Sequence, residues 1–124
     1  MITNEINAGV LAYLGDAVYE VLIRNYLVSK LKFRANELQK EATKYVSAKA
    51  QAEILEKLIN ENVLNEEEMY TVGRARNYKT NSKPKHVDIK TYKKATALEA
   101  LFGTLYINKN VDRIEELMSR IVGE

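Results

Sequence analysis

The sequence predicts an all-helical domain, and three features lead to this prediction. The 124 residues include only one proline, Pro84, and five glycines, so little interrupts a helical segment. Strand signals such as apolar–polar alternation beside Asn-Gly turns are missing. Apolar residues recur instead at spacings of three and four, the period of a helix that packs on a core. We expect one domain over residues 1–124, long enough to bury a core of its own.

Capping residues predict where the helices begin, because Ser, Thr, Asp and Asn side chains accept hydrogen bonds from the first backbone amides of a helix. The first helix is predicted to reach about Val28, with Asp16 half-buried at the edge of its apolar stripe. Gly15 inside this helix predicts a close approach by another backbone. The predicted stripe is Leu11, Leu14, Val18, Val21 and Leu22. The predicted starts are Asn4 or Asn7, Asn36, Asn65, Asp88 or Thr91, and Asp112, and Ser47 lies where a helix either restarts or continues.

Positive charge is concentrated in one part of the chain, although the net charge is only +2. Residues 74–94 carry eight basic side chains and one acid, Asp88. Polyanions bind to local patches of this kind, so nucleic acid is an expected partner, with a solvated charged face as the alternative. The polar stretch from Thr80 to His86 is a predicted loop in this patch. His86, the only histidine, is predicted to be a surface residue.

Two apolar helices each have an acid in their apolar region, beside small residues. Asp16 follows Gly15, and Glu99 lies one turn before Gly103. Small residues let helix backbones approach closely, so we expect the two acids to lie near one another. Carboxylates so placed repel each other unless a proton or a cation joins them, and Mg²⁺ or Mn²⁺ with added water ligands suits such a pair. The alternative is that each acid pairs separately with a lysine or a helix end.

Composition disfavours several other classes of protein. The chain has no cysteine, which excludes disulfides and thiolate metal sites. Its first residues lack the features of a signal peptide, and charged residues interrupt every apolar run, so we expect a cytoplasmic protein without a membrane span. No glycine-rich phosphate loop or nucleophile elbow is present. Tyr13, Tyr19 and Tyr26 recur on the first helix and are predicted to be core or interface residues.

The segments around both acids resemble the motifs of the ribonuclease III family. Residues 11–18, LAYLGDAV, are similar to the family's signature, and residues 97–103, ALEALFG, are similar to its second acidic motif. Residues 46–52, VSAKAQA, lie where the family has its middle helix. The pattern is closest to the Mini-ribonuclease III subfamily, which lacks the double-stranded-RNA-binding domain, and covers roughly Val10 to Ile107.

This resemblance implies a homodimeric, Mg²⁺-dependent endoribonuclease for double-stranded RNA, with Mn²⁺ able to substitute. Asp16 and Glu99 would be the catalytic residues and the metal ligands, and the products would carry 5′-phosphate and 3′-hydroxyl ends. Ala12 and Thr96 replace two acids of ordinary ribonuclease III, which implies a reduced metal site with more water ligands. The implied substrate is the stem formed by the ends of precursor 23S ribosomal RNA, with a large-subunit ribosomal protein as a candidate partner.

We expect the basic patch to bind the RNA, since A-form RNA is bound mostly through phosphates and 2′-hydroxyls. Two alternatives remain open from the sequence. Ala12 and Thr96 favour a non-catalytic helical module that binds double-stranded RNA or assists ribosome assembly, and a purely structural domain is the third hypothesis. The RNA-contact candidates are Arg74, Arg76, Asn77, Lys79, Lys83 and Lys85.

Overall fold

The structure, a computed structural model, describes residues 3–79 and 86–124. Within these residues the chain forms six α-helices after one 3-10 turn, so the predicted all-helical class is confirmed. No helix in the described ranges is long and apolar enough to cross a membrane. The turn is Thr3–Glu5, and the helices are α1 (Ala8–Ser29), α2 (Ala35–Val46), α3 (Ala48–Asn60), α4 (Glu66–Arg76), α5 (Ile89–Ile107) and α6 (Val111–Val122).

Helix α5 is the centre of the domain. It packs against α1, α3, α4 and α6, and α1 is its most extensive neighbour. Residues 100–105 of α5 are all buried, so this helix has no solvent-facing side over its middle turns. A helix that is apolar all round belongs in a core rather than at a surface. The side chains on α5 are therefore held in place from several directions.

Helices α1 and α5 cross at two glycines, and neither position has room for a side chain. A Cβ atom built on Gly15 would lie 1.5 Å from the carbonyl oxygen of Glu99. A Cβ atom built on Gly103 would lie 2.1 Å from the carbonyl oxygen of Leu11. The two backbones are thus in direct contact, as the sequence predicts for Gly15. This contact sets Asp16, the residue after Gly15, beside Glu99.

The predicted stripe of α1 is confirmed in part, because Leu11 is buried and Val18 and Leu22 pack against the core. Val21 is 65% exposed, and Asp16 lies on the exposed side of the helix rather than half-buried. These two predictions were wrong because the buried face is centred on the contact of Gly15 with α5, which leaves Val21 and Asp16 towards solvent. The residues that α1 buries are Ala8, Leu11, Ala12, Gly15, Tyr19, Ile23 and Leu27.

Most of the predicted helix starts agree with the structure. The Asn7 side chain accepts a hydrogen bond from the Gly9 backbone N–H at 2.7 Å and caps α1. Ser47 ends α2 and caps α3, so the helix restarts there. Asn65 caps α4, and Asp88 caps α5. These caps form because short polar side chains satisfy backbone amides that have no partner inside the helix.

Two predicted starts are wrong by one or two residues. Helix α2 begins at Ala35 rather than after Asn36, and the Glu37 carboxylate accepts a hydrogen bond from the Arg34 backbone N–H at 2.7 Å. Helix α6 begins at Val111, where Asn110 is the cap in place of Asp112. In both cases another polar side chain close in sequence accepts the hydrogen bond at the helix start. Composition alone therefore does not identify the cap.

Candidate active site

Asp16 of α1 and Glu99 of α5 lie side by side at one cleft of about 530 Å³. The two side chains are close enough that the Asp16 carboxylate raises the pKa of Glu99. The structure therefore brings together the two acids that the sequence predicts to be neighbours. They face an open cleft rather than the interior of the core. The other residues that line the cleft include Ala12, Tyr13, Tyr78, Tyr92, Lys93 and Thr96.

Glu99 is the acid with the perturbed ionisation. Burial raises the pKa of its carboxyl, and the neighbouring Asp16 carboxylate raises it further, to about 8. A carboxyl with this pKa holds a proton at neutral pH while no cation is present. Perturbed titratable groups of this kind concentrate at functional sites because the same burial and charge that perturb them also serve chemistry.

Gln51 is a third member of this site and was not predicted to be a site residue. Its side chain on α3 is only 3% exposed and interacts with Glu99, which lowers the pKa of that carboxyl. A signal for it exists in the sequence. Gln51 shares a helix face with Leu55 and Leu58, and a polar residue on an apolar face needs a hydrogen-bonding partner. Three helices therefore meet at the carboxylate pair.

The donor set at this site fits a hard divalent cation. Two carboxylates supply charged oxygen atoms, and such a cation accepts water in its remaining positions. A cation between the acids would also relieve the repulsion that raises the pKa of Glu99. Ala12 and Thr96 line the same cleft without adding a carboxylate. Across residues 3–79 and 86–124, no third His, Cys, Asp or Glu completes a larger cluster.

The raised pKa of Glu99 predicts a pH dependence of stability in protein stripped of divalent cations. Above the usual pKa of 4.5 the unfolded chain loses the Glu99 proton while the folded chain keeps it, up to pH of about 8. Stability should therefore fall as pH rises across this window. We expect a loss of at least about 2 kcal/mol, because each unit of pKa shift corresponds to about 1.4 kcal/mol.

Urea unfolding in EDTA across this pH range tests the expectation. Glu99→Gln removes the titrating group and should flatten the profile, whereas Glu53→Gln, an exposed acid on α3, should leave the slope unchanged. Added Mg²⁺ should restore stability to the wild-type protein at the alkaline end. Equal slopes for wild type and Glu99→Gln would contradict the assignment.

A second cleft, also of about 530 Å³, lies between the end of α4 and the first turns of α5. It contains two of the predicted RNA contacts, Arg76 and Asn77, and no acid lines it. We call it the cationic cleft. Lys93 lines both this cleft and the one that holds the carboxylates, so the two are adjacent. The residues that line the cationic cleft are Gly73, Arg76, Asn77, Lys90, Lys93 and Lys94.

The remaining RNA-contact candidates have different surroundings. Arg74 donates hydrogen bonds to the carbonyl oxygens of Asn4, at 2.7 Å, and Ile6, so its guanidinium anchors the segment before α1. Lys79 is exposed. Lys83 and Lys85 lie outside the described residues, together with most of the predicted loop. His86, the last residue of that loop, is exposed as predicted.

Comparison with known proteins identifies the class. The family model named Ribonuclease III domain matches residues 9–110, which include both acids and the cationic cleft. The chain therefore belongs to the ribonuclease III family of endoribonucleases.

Within that family the chain is similar to Mini-ribonuclease 3 proteins, as the sequence motifs predict. It is 44% identical to Mini-ribonuclease 3 of Staphylococcus aureus, over 94% of this chain and 87% of that protein. It is also 44% identical to the Streptococcus pneumoniae protein of the same name, over 94% of this chain and 91% of that protein. A crystal structure of a protein from Fusobacterium nucleatum matches with a TM-score of 0.79 at 36% identity, over 91% of this chain and 88% of that one.

Proposed function

We propose that this protein is a Mg²⁺-dependent endoribonuclease that cleaves double-stranded RNA. The observation that carries the proposal is the pair formed by Asp16 and Glu99, which lies at an open cleft directly beside the cationic cleft. Membership of the ribonuclease III family supports the same reaction class. An acidic pair alone repels RNA, so the adjacent cations are needed to bring a phosphodiester to it.

Asp16 and Glu99 would hold the cation, directly or through water, and Mn²⁺ would serve in place of Mg²⁺. When bound, the cation supplies a lowered pKa for the attacking water and charge stabilisation for the leaving oxygen. The chain's own contribution is positional. The glycine contact between α1 and α5 holds the two carboxylates together, and the buried Gln51 amide orients Glu99. The products we propose are 5′-phosphate and 3′-hydroxyl ends.

Arg76 and Asn77 of the cationic cleft are the proposed contacts to the RNA backbone, together with the exposed Lys79, two residues further along the chain. Lys83 and Lys85 stay in the proposal on the basis of sequence alone. Arg74 contributes by holding the N-terminal segment in place as well as through its charge. Binding that neutralises phosphates releases counterions, so affinity should fall steeply with salt concentration.

A homodimer is the proposed assembly, since two strands of RNA require two sites held at a fixed spacing. Support comes from one face of α1, where large apolar side chains lie in solvent at helical spacing. Val10, Tyr13, Val21 and Val28 are 57%, 84%, 65% and 58% exposed. A contiguous exposed apolar surface marks an interaction site, and a self-complementary patch gives a two-fold dimer. Tyr19 and Tyr26 pack inside the domain instead, as the sequence predicts.

The proposed biological substrate is the stem formed by the ends of precursor 23S ribosomal RNA, in the cytoplasm, with a large-subunit ribosomal protein as a candidate partner. The similarity to Mini-ribonuclease 3 supports this choice. A second candidate function is a non-catalytic module that binds double-stranded RNA. It is favoured by Ala12 and Thr96, which leave the cleft with two carboxylates.

One experiment separates the two functions. The protein is incubated with end-labelled double-stranded RNA in Mg²⁺, in Mn²⁺ and in EDTA, and both cleavage and gel retardation are measured. We expect cleavage of both strands with either cation and retardation without cleavage in EDTA. Retardation under all three conditions, with intact RNA throughout, would support the binding module and reject the nuclease.

A further inference from the structure

The cationic cleft brings together four basic side chains, and three of them have no acidic partner among the described residues. Lys90, Lys93 and Lys94 lie three and four residues apart on α5 and therefore share one face, which Arg76 of α4 joins across the cleft. Lys94 forms an ion pair with Glu56 of α3. Within the described ranges, no ion pair or hydrogen bond is recorded for the side chains of Lys90, Lys93 or Arg76. Like charges held together in this way repel each other until an anion enters.

Gly73 lines the cationic cleft and leaves the backbone of α4 uncovered by a side chain at this position. It lies inside α4, where a glycine weakens the helix relative to alanine. Among the described residues, a Cβ atom built there would have no neighbour within 4 Å outside its own stretch of helix, so close helix packing does not require this glycine. It differs in this from Gly15 and Gly103, which are in backbone contact. An open glycine beside unpaired cations suits the close approach of a phosphate group to the backbone.

Lys93 is the one described residue that borders both the cationic cleft and the carboxylate pair. Lys93, Thr96 and Glu99 follow each other at intervals of three along α5. The rise of an α-helix separates the Lys93 and Glu99 backbones by about 9 Å along the axis. No lysine or arginine is among the groups that shift the pKa of Glu99, so the Lys93 ammonium does not neutralise that carboxyl. The side chain is half-buried and its charge remains available for an anion.

We propose that Lys93 binds the RNA phosphate next to the one that is cleaved and thereby registers the strand on Asp16 and Glu99. This inference rests on the proposed function, because it assigns a substrate contact for the same reaction. Lys90 and Arg76 then hold phosphates further along the strand, where they contribute affinity. Lys93 differs from Lys90 and Arg76 because the phosphate that it binds determines the position of the adjacent phosphate, at which cleavage takes place.

Single-turnover cleavage with saturating double-stranded RNA in Mg²⁺ tests the assignment. Lys93→Ala should slow the saturated rate roughly 10- to 100-fold, the cost of a misplaced reacting group. Lys93→Arg keeps the charge and should recover most of the rate. Lys90→Ala should weaken binding and reduce the salt slope by about one, and it should slow the saturated rate less than Lys93→Ala does. Lys57→Ala, an exposed lysine at the end of α3, controls for the loss of one charge. A Lys93→Ala enzyme that matches Lys57→Ala in rate and affinity would overturn the proposal.

Chemical modification of the RNA distinguishes a phosphate contact made by Lys93 from a purely structural role of this residue. Replacing one phosphate at a time with a neutral methylphosphonate should slow the wild-type enzyme at a position adjacent to the cleaved bond. Lys93→Ala should be insensitive to that same replacement, since coupled changes are not additive. Additive effects at every position would overturn the assignment. The same protein and RNA variants can be compared by binding in EDTA, which does not depend on cleavage. If the wild-type protein leaves the RNA uncleaved, the nuclease proposal is rejected, and the binding comparison still tests whether Lys93 contacts that phosphate.

Discussion

Asp16→Asn is expected to lower the cleavage rate at least ~10³-fold, which corresponds to about 4 kcal/mol of lost transition-state stabilisation. The substitution keeps the size of the side chain and removes one of the two charges that would hold the cation. Because Asp16 lies on the exposed side of α1, the folded structure should tolerate the change. The measurement is single-turnover cleavage of double-stranded RNA at saturating Mg²⁺, with gel retardation and sedimentation to check that RNA binding and the oligomeric state are retained.

Glu20→Gln is the matched control for this variant. Glu20 lies one turn beyond Asp16 on the same helix and pairs with Arg24 at 2.9 Å rather than with the carboxylate pair. Its cleavage rate should stay within about threefold of wild type, since exposed ion pairs on a helix contribute little. Retention of more than about a tenth of the wild-type rate by Asp16→Asn would contradict the assigned role, as a catalytic charge of this kind is worth several kcal/mol.

Asp16→Asn has a second expected consequence that does not depend on catalysis. The contact with Asp16 and its negative charge both raise the pKa of Glu99. Without that charge, Glu99 should titrate at lower pH, and the stability loss with rising pH in EDTA should become smaller. The pH slope of urea unfolding therefore reports the coupling of the two acids directly.

Gly15→Ala is expected to destabilise the domain by about 3 kcal/mol or more, although alanine favours a helix over glycine by about 1 kcal/mol. The added methyl group would overlap the carbonyl oxygen of Glu99, so α1 and α5 must move apart. That displacement opens the largest helix contact in the domain and separates the carboxylates as well. Urea unfolding monitored by circular dichroism measures the change in the free energy of unfolding.

Gly73→Ala is the matched comparison on stability. It makes the same substitution inside α4, where a Cβ atom has open space. Here only the helix preference remains, so we expect a gain of roughly 0.5–1 kcal/mol in the free energy of unfolding. Opposite signs for the two variants would identify backbone contact as the reason for Gly15. Similar changes in both would mean that the α1–α5 crossing is looser than the structure shows.

The prediction of helix starts succeeded where the determining contacts are local. Asn65 is followed by three glutamates, and its side chain accepts a hydrogen bond from the Glu68 backbone N–H at 2.9 Å, while the Glu68 carboxylate accepts one from the Asn65 backbone N–H. Every partner in this capping box lies within three residues, so the pattern is visible in sequence. The cap of α2 was missed because Arg34 and Asn36 are both polar and lie two residues apart. The choice between them depends on the path of the chain into the helix.

One member of the predicted α1 stripe, Val21, was wrong for a different reason. Hydrophobicity placed Val21 on the buried face, but its side chain is 65% exposed, and the buried face is centred on Gly15 in contact with α5. A close crossing of two helices is stabilised by many small dispersion contacts between backbones, and a scale of side-chain hydrophobicity does not register them. The exposed valines of α1 are instead available for the proposed dimer contact.

By itself the sequence determined the helical class, most helix starts and the two motifs that carry Asp16 and Glu99, because each of these depends on residues close together in the chain. Only the tertiary structure decided that Glu99 carries the raised pKa, that Gln51 contacts it and that Lys93 borders both clefts. These facts depend on how α1, α3, α4 and α5 cross. Burial and charge at a carboxylate are set by neighbours distant in sequence, and their positions follow from the packing of the whole domain.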